Sequence, residues 1–176
     1  IDLDLDTYVA TLEGRLGKSR ELMRIVMNKA KSDPQRIAIA EGDDEKMIRA
    51  AFQIQEEGIG DPVLLGNRTT ITETVAELGL EFDPDIVDPE EADVTAYAEH
   101  LFEQRKRKGI TRNEAETLVC NDTNYLGSVM VDRGDADAML TGLTHHYPSA
   151  LRPSLQVIGT APEANTVAGV YMLTLQ

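Results

Sequence analysis

Apolar side chains recur at helical spacing through residues 6–32 of the chain. They are Tyr8, Leu12, Leu16, Met23, Val26 and Met27, and no proline interrupts the segment before Asp33-Pro34. Side chains three and four positions apart share one face of a helix, so the pattern predicts one long helix. Because this helix precedes the first predicted strand, we expect its apolar stripe to dock on a partner domain or subunit.

Beyond residue 35, short apolar runs alternate with helical patterns. Predicted strands span 36–40, 62–65, 86–87, 138–140 and 167–173, and predicted helices span 44–57, 69–78, 90–107, a stretch from 111, 124–133 and 149–158. Asp43 is the expected N-cap of the first of these helices, and Thr70-x-x-Glu73 and Thr111-x-x-Glu114 fit capping boxes. Strands that are apolar throughout suit a sheet covered on both faces. The pattern therefore predicts an α/β fold with three layers (αβα) and a mainly parallel sheet.

Charge and composition narrow the classes of partner. The chain has 176 residues, 41% of them hydrophobic, and a net charge of −14. Such a surface repels phosphates, so we expect neither nucleic acid nor membrane partners. No apolar run approaches the roughly 20 residues needed to cross a bilayer. Cys120 is the single cysteine, and we interpret it as a small core residue. The N-terminus does not begin with a basic stretch followed by an apolar one, as a signal peptide would. Both features favour a cytoplasmic location.

The candidate chemistry concentrates between Gly134 and Pro153. An acidic turn precedes a short apolar run that ends in Thr-Gly, and a polar loop from Thr144 to Tyr147 leads into a helix that carries Arg152. A helix N-terminus together with an arginine fork suits phosphate or carboxylate. An ordinary β–loop–α crossover with helix-capping residues explains the same spacing, and the sequence leaves both readings open.

Two other features allow both a functional and a structural interpretation. Residues 105–108, Arg-Lys-Arg-Lys, form a dense basic cluster before Gly109. Either these cations stabilise the C-terminus of a helix, or they bind a phosphate group. Glu41 follows the first predicted strand, at the carboxyl edge where α/β sheets bind ligands, and either lines a cleft or caps a helix.

The histidines do not suggest a metal site. His145 and His146 are adjacent, and no cysteine or further histidine lies nearby in the sequence, so we expect no metal within this segment. The segment has no P-loop, GxGxxG or GxSxG pattern, so we expect no cofactor within it. His145 remains a candidate for contact with a ligand. His100 is expected to be a solvated helix residue, Tyr147 to pack in its loop, and Asp135 and Asp137 to make turn hydrogen bonds.

Four segments in register resemble the phosphate acetyltransferase family. They are RIAIAEGDDEKMIRAA, PVLLGN, QRKRKGITRNEAETLVCNDTNYLGSVMVDRGDAD and GDADAMLTG…LRPSLQVI. The resemblance implies an isocitrate dehydrogenase-like fold of two α/β domains around a cleft, with residues 36–155 as most of the first domain and 156–176 as the start of the second. It also implies that Arg105 and Arg152 line a cleft for CoA and acyl phosphate, and that Thr144 and His145 belong to the ligand loop.

Two departures point to one branch of that family. His145-His146-Tyr147 stands where the family pattern has His-Ser-Thr, and residues 1–35 form a leader before the first strand. Both features resemble the phosphotransacetylase-like C-terminal domain of bacterial NADP-dependent malic enzymes. The sequence is then an excised fragment, and residues 1–35 link it to a catalytic core that uses NADP and a divalent metal.

Three functions follow as hypotheses. The first is a regulatory domain that binds acetyl-CoA, lies in the same chain as the malic enzyme catalytic domain, and helps to assemble a homo-oligomer. The second is part of an active phosphate acetyltransferase, which exchanges CoA and phosphate on an acetyl group. The third is a structural oligomerisation module with a vestigial cleft.

Overall fold

Four short strands form one sheet in which every neighbouring pair is parallel. They are β1 (Gln35–Ile39), β2 (Gly60–Leu65), β3 (Asp85–Val87) and β4 (Ala138–Leu140), in the order β3-β2-β1-β4. The structure is a computed structural model, and it describes residues 18–164 and 166–170. Because the strands run the same way, the residues that follow them meet at one edge of the sheet.

Helices connect the strands. They are α1 (Lys18–Ser32), α2 (Glu45–Glu56), α3 (Arg68–Glu77), α4 (Thr95–Arg105), α5 (Arg112–Asn121), α6 (Thr123–Arg133) and α7 (Tyr147–Val157), and a single 3₁₀ turn, Lys106–Lys108, follows α4. None of the helices in the described residues is long and apolar enough to cross a membrane.

The sheet separates two apolar cores, as the predicted three layers require. On one face, Ile39 and Leu64 pack with Ile48 of α2 and Ile71 of α3. On the other face, alternate strand residues pack with α4, α5, α6 and α7, among them Ala38, Val63, Leu65, Leu101, Val119, Leu126 and Val157. Cys120 is half-buried against this second core. The alternation of Val63, Leu64 and Leu65 between the two faces follows from the two-residue period of a strand.

Several predicted helix ends are wrong because a different polar side chain makes the cap. Asp44, not Asp43, caps α2 by accepting from the Lys46 amide. Asn67 caps α3 by accepting from the Thr70 amide, so the Thr70-x-x-Glu73 capping box does not form. The predicted helix over 90–107 is shorter, since α4 begins only at Thr95. The Thr111–Glu114 capping box is confirmed.

Both ends of the chain are described only in part. The predicted helix over 6–32 is present from Lys18 to Ser32, and residues 1–17 lie outside the described residues. The last predicted strand, 167–173, does not form over 167–170, and 171–173 lie outside the described residues. The predicted domain boundaries at 35 and 155 stay predictions.

Candidate functional site

The Glu41 carboxylate holds the loop between β4 and α7. Glu41 lies two residues after the end of β1, and it is only 7% exposed. Its Oε1 accepts from the amides of Gly142 at 2.6 Å and Leu143 at 3.0 Å. Its Oε2 accepts from the Thr144 amide at 2.6 Å and from the Thr144 hydroxyl at 2.8 Å. Four donors therefore fasten the Gly142–Thr144 loop to the carboxyl edge of the sheet.

Gly42 fixes the position from which Glu41 reaches the loop. Its amide donates to the Leu65 carbonyl at 3.1 Å, which ties the end of β1 to the end of β2. A Cβ atom at this position would lie 2.8 Å from both the amide nitrogen and the carbonyl oxygen of Leu65. Only glycine allows the two backbones to approach this closely.

The donors around Glu41 keep it ionised. Burial alone raises the pKa of a carboxyl group, because it disfavours the charged form. Hydrogen bonds from the Thr144 hydroxyl and from the amides of Gly142, Thr144 and Leu143 outweigh burial, and they lower the pKa of Glu41 from 4.5 to about 2. At neutral pH the loop therefore closes around a permanent negative charge.

His145 lies beside this carboxylate and between two cavities. Its Nδ1 atom is 3.4 Å from Glu41 Oε1 and 3.4 Å from the Thr144 hydroxyl. The first cavity, of about 350 Å³, is lined by Glu41, Asp43, Asp44, Leu65, Thr123, Thr144 and His145. The second, of about 410 Å³, is mainly apolar and includes Met139, Leu151 and Ile158. Tyr147, expected to pack in its loop, is instead 67% exposed and lines the second cavity.

The structure thus gathers Glu41, Thr144 and His145, but it does not make them an anion site by themselves. Three carboxylates line the first cavity, and Glu41 already occupies the loop amides that a phosphate would need. An isolated phosphate placed there would meet like charge at close range, which is unfavourable in a partly buried site.

A separate cavity carries the positive charge. It has a volume of about 440 Å³ and lies between the end of α4, α5 and the end of α7, lined by Arg105, Lys108, Gly109, Ile110, Glu114, Thr117, Leu118 and Gln156. The Arg105 Nη1 atom donates to the Gln156 carbonyl at 3.4 Å. Arg105 thus approaches the carbonyl end of α7, where a cation is favoured.

Arg152 lies on α7, one helical turn before Gln156, whose carbonyl accepts from Arg105. Burial and the nearby Asp122 raise the pKa of the Tyr125 hydroxyl, and the positive charges of Arg105 and Arg152 both act on that hydroxyl in the opposite direction. Arg152 is exposed and lines none of these three cavities, the one that contains Arg105 included. The five predicted residues therefore fall into two groups, a cationic pair near Tyr125 and a loop group around Glu41.

Polar contacts at the start of α6 connect the two groups. Tyr125 donates to Gln156 Oε1 at 2.6 Å, and the neighbouring Asn124, which is 1% exposed, accepts from the Thr141 hydroxyl. Thr141 also donates to Glu41 Oε1 at 3.2 Å. Sequence reasoning did not select these four residues. The dipeptide Asn124-Tyr125, directly after the N-cap Asp122, was the available signal, because polar side chains at a helix start face the adjoining loops.

Other polar residues have structural partners. His100, expected to be solvated, is within 2.6 Å of Asp132 Oδ2, which also accepts from Gln104. Asp137 accepts from the Arg36 amide, as a turn residue does. Within residues 18–164 and 166–170, no group of three or more histidine, cysteine, aspartate or glutamate residues is placed to hold a metal ion.

Comparison with known proteins decides the family. Residues 21–176 match the family described as phosphate acetyl/butaryl transferase. The chain belongs to this family. It is 33% identical to a phosphate acetyltransferase of Corynebacterium glutamicum over 86% of its own length and 46% of that protein. It is 36% identical to an NADP-dependent malic enzyme of Haemophilus influenzae over 97% of its own length and 23% of that protein.

The fold agrees with this assignment. The EutD phosphotransacetylase of Staphylococcus aureus superposes with a TM-score of 0.76 and 28% identity, over 84% of this chain and 45% of that protein. The predicted three-layer α/β fold is confirmed. The chain spans less than half of the length of each of these three relatives.

Replacing Glu41 tests the anchoring of the loop. We expect Glu41→Gln to lower the free energy of unfolding at pH 7 by about 2–3 kcal/mol, because charged hydrogen bonds in a buried site are lost. The pKa of Glu41 lies below its ordinary value of 4.5, so this stabilisation is present above about pH 4.5 and disappears as pH falls towards 2. Urea denaturation at pH 7 and pH 3 measures it.

The matched control is Glu73→Gln, on an exposed position of α3. We expect this variant to follow the wild type at both pH values. A difference between wild type and Glu41→Gln that is the same at pH 7 and pH 3 would show that the carboxylate charge does not hold the loop.

Proposed function

We propose that the chain is the phosphotransacetylase-like regulatory domain of an NADP-dependent malic enzyme and binds acetyl-CoA. The match to the malic enzyme extends over 97% of the chain, whereas the match to the Corynebacterium enzyme extends over 86%. The additional part of the chain is thus shared with the malic enzyme, of which this chain spans 23%. In the proposed parent, that domain oxidatively decarboxylates malate to pyruvate and holds NADP and a divalent metal outside this segment.

The cationic cavity is the observation that supports a CoA ligand. Arg105 and Lys108 line a space of about 440 Å³, and the charge of Arg152 reaches the adjoining Tyr125. The rest of the chain is strongly acidic, with a net charge of −14 overall. Guanidinium groups bind phosphate oxygens through two hydrogen bonds at once, so this cavity suits the phosphates of CoA. Ile110 and Leu118 add apolar surface for the non-phosphate part of the ligand.

The loop around Glu41 supports a regulatory rather than a catalytic role. His145-His146-Tyr147 replaces the His-Ser-Thr of the family pattern, which removes the serine hydroxyl and exchanges the threonine hydroxyl for a phenol. The adjoining cavity is acidic, which disfavours acyl phosphate. Residues that would assist acetyl transfer belong, by family resemblance, to the part of the fold that follows this segment.

Contacts between the cationic cavity and the loop provide a physical route for a ligand effect. Gln156 receives hydrogen bonds from both Arg105 and Tyr125, and Asn124 and Thr141 continue the contacts to Glu41. A ligand that draws Arg105 away from α7 changes this set of bonds. We propose that the parent is a cytoplasmic homo-oligomer in which such changes reach the catalytic domain.

Calorimetric titration of acetyl-CoA into the chain tests the ligand site. We expect Arg105→Ala and Arg152→Ala each to weaken binding at least about tenfold, since a charged hydrogen bond contributes about 1.5–3 kcal/mol. Arg49→Ala removes the same charge from α2, on the opposite face of the sheet, where Arg49 pairs with Glu45. This control should bind as the wild type does. Equal affinities in all four proteins would remove the two arginines from the site.

An active phosphate acetyltransferase is the second candidate, favoured by the relatives of that name and by the phosphotransacetylase fold. Expressing the complete gene and assaying both reactions separates the candidates. We expect malate-dependent reduction of NADP and no acetyl-CoA formation from acetyl phosphate and CoA. Acetyl-CoA formation without malate oxidation would establish the alternative.

A further inference from the structure

The cavity that contains Arg105 combines positive charge with apolar surface. Arg105 ends α4 and Lys108 ends the 3₁₀ turn that follows it, while Ile110 and Leu118 supply apolar surface. Seven of the eight lining residues fall between 105 and 118, and the eighth is Gln156. One continuous segment therefore forms almost all of the cavity.

The two cations in the cavity wall are available to a ligand. Within the basic run 105–108, Lys106 pairs with Glu103, and Arg107 lines a different cavity, beside His100. The Arg105 guanidinium makes one hydrogen bond, of 3.4 Å, to the Gln156 carbonyl. The Lys108 ammonium group has no hydrogen bond or ion pair in the part of the chain that the structure describes. A phosphate group can therefore bind both cations without breaking an ion pair.

The wall formed by α5 is suited to a nucleobase and not to a phosphate. Glu114, Thr117 and Leu118 lie three and four positions apart, so they share one face of α5. Hydrogen bonds from the Thr111 amide at 2.8 Å and the Thr111 hydroxyl at 2.9 Å hold the pKa of Glu114 below its ordinary value. The ionised carboxylate repels phosphate, and it can accept a hydrogen bond from the amino group of adenine.

The size of the cavity limits which part of a CoA molecule it can hold. Its volume of about 440 Å³ is near the lower end of the roughly 300–1,000 Å³ that pockets for drug-sized ligands span, and CoA is larger than such ligands. Adenosine with its phosphates fits this space, with the base against α5 and the phosphates against Arg105 and Lys108. The acyl thioester then lies beyond the lining residues.

That part of CoA has a close counterpart in NADPH. Both molecules carry an adenine, a 5′-diphosphate and one additional phosphate on the adenosine ribose, which is on the 3′ oxygen in CoA and on the 2′ oxygen in NADPH. They differ most in the groups beyond the diphosphate, which the cavity does not reach. A lysine side chain is a point charge on a flexible stem, so Lys108 can follow the phosphate to either position.

We propose that this cavity recognises the phosphorylated adenosine diphosphate group, and that it binds NADPH in competition with acetyl-CoA. The inference rests on the proposed function, because the same cavity serves both ligands. NADPH is the product of the proposed parent enzyme, so the domain responds to that product as well as to acetyl-CoA. The net charge of −14 opposes non-specific binding of such anionic ligands, so a measured affinity reports a specific site.

Calorimetric titration of NADPH into the 176-residue chain tests the proposal. In the proposed parent the catalytic NADP site lies outside this segment, so it does not contribute to the signal. We expect a dissociation constant within about tenfold of that for acetyl-CoA, and no binding heat in the presence of saturating acetyl-CoA. NADH lacks the ribose phosphate, so we expect it to bind at least about tenfold more weakly than NADPH.

Two variants of the basic run locate the site. Lys108→Ala should weaken the binding of NADPH and of acetyl-CoA at least about tenfold each. Arg107→Ala removes a neighbouring cation that lines the other cavity, and it should bind both ligands as the wild type does. Circular dichroism confirms that each variant is folded.

The outcomes separate this inference from the proposed function. Acetyl-CoA binding without NADPH binding would overturn the inference and leave the proposed function intact. Binding of neither ligand would remove both. Equal affinities for NADPH and NADH, simultaneous binding of NADPH and acetyl-CoA, or an unchanged NADPH affinity in Lys108→Ala would also overturn the inference.

Discussion

The Glu41 carboxylate connects parts of the chain that are about 100 residues apart. It lies at the end of β1, in the middle of the sheet, and receives donors from the loop that follows β4. Because five donors satisfy one buried charge, the loop, the start of α7 and His145 all take their positions from it. Gly42 makes the arrangement possible by letting the chain pass close to Leu65.

The internal carboxylate also bears on where we propose that an anionic ligand binds. Loop amides at the carboxyl edge of an α/β sheet usually donate hydrogen bonds to a ligand, but here they donate to Glu41. Asp43 and Asp44 make the adjacent cavity more acidic. Positive charge is instead concentrated near Arg105, Lys108 and Arg152. This separation is the reason that we propose the ends of α4 and α7, and not the loop, as the place for a phosphate-bearing ligand.

Sequence reasoning predicted the architecture well and the site only in outline. The short apolar runs at β1, β2 and β4 fit a buried strand better than any other element, so the parallel sheet could be predicted from them. Helix starts were less accurate because Asp43 and Asp44, or Asn67 and Thr70, are equally good caps in the sequence, and tertiary contacts choose between them. Glu41 was selected as an edge residue, but its loop donors lie about 100 residues away, which local patterns do not reveal. Tyr125 and Gln156 were missed for the same reason.

Amide hydrogen exchange in the 142–144 segment tests the central claim most directly. In the wild type, the amides of Gly142, Leu143 and Thr144 donate to Glu41 and should exchange slowly for a loop. In Glu41→Gln at neutral pH, we expect their exchange to accelerate at least about tenfold, while amides in β1 and β2 keep most of their protection. Equal protection of the loop in both proteins would contradict the account, because the loop would then be held by something other than the carboxylate.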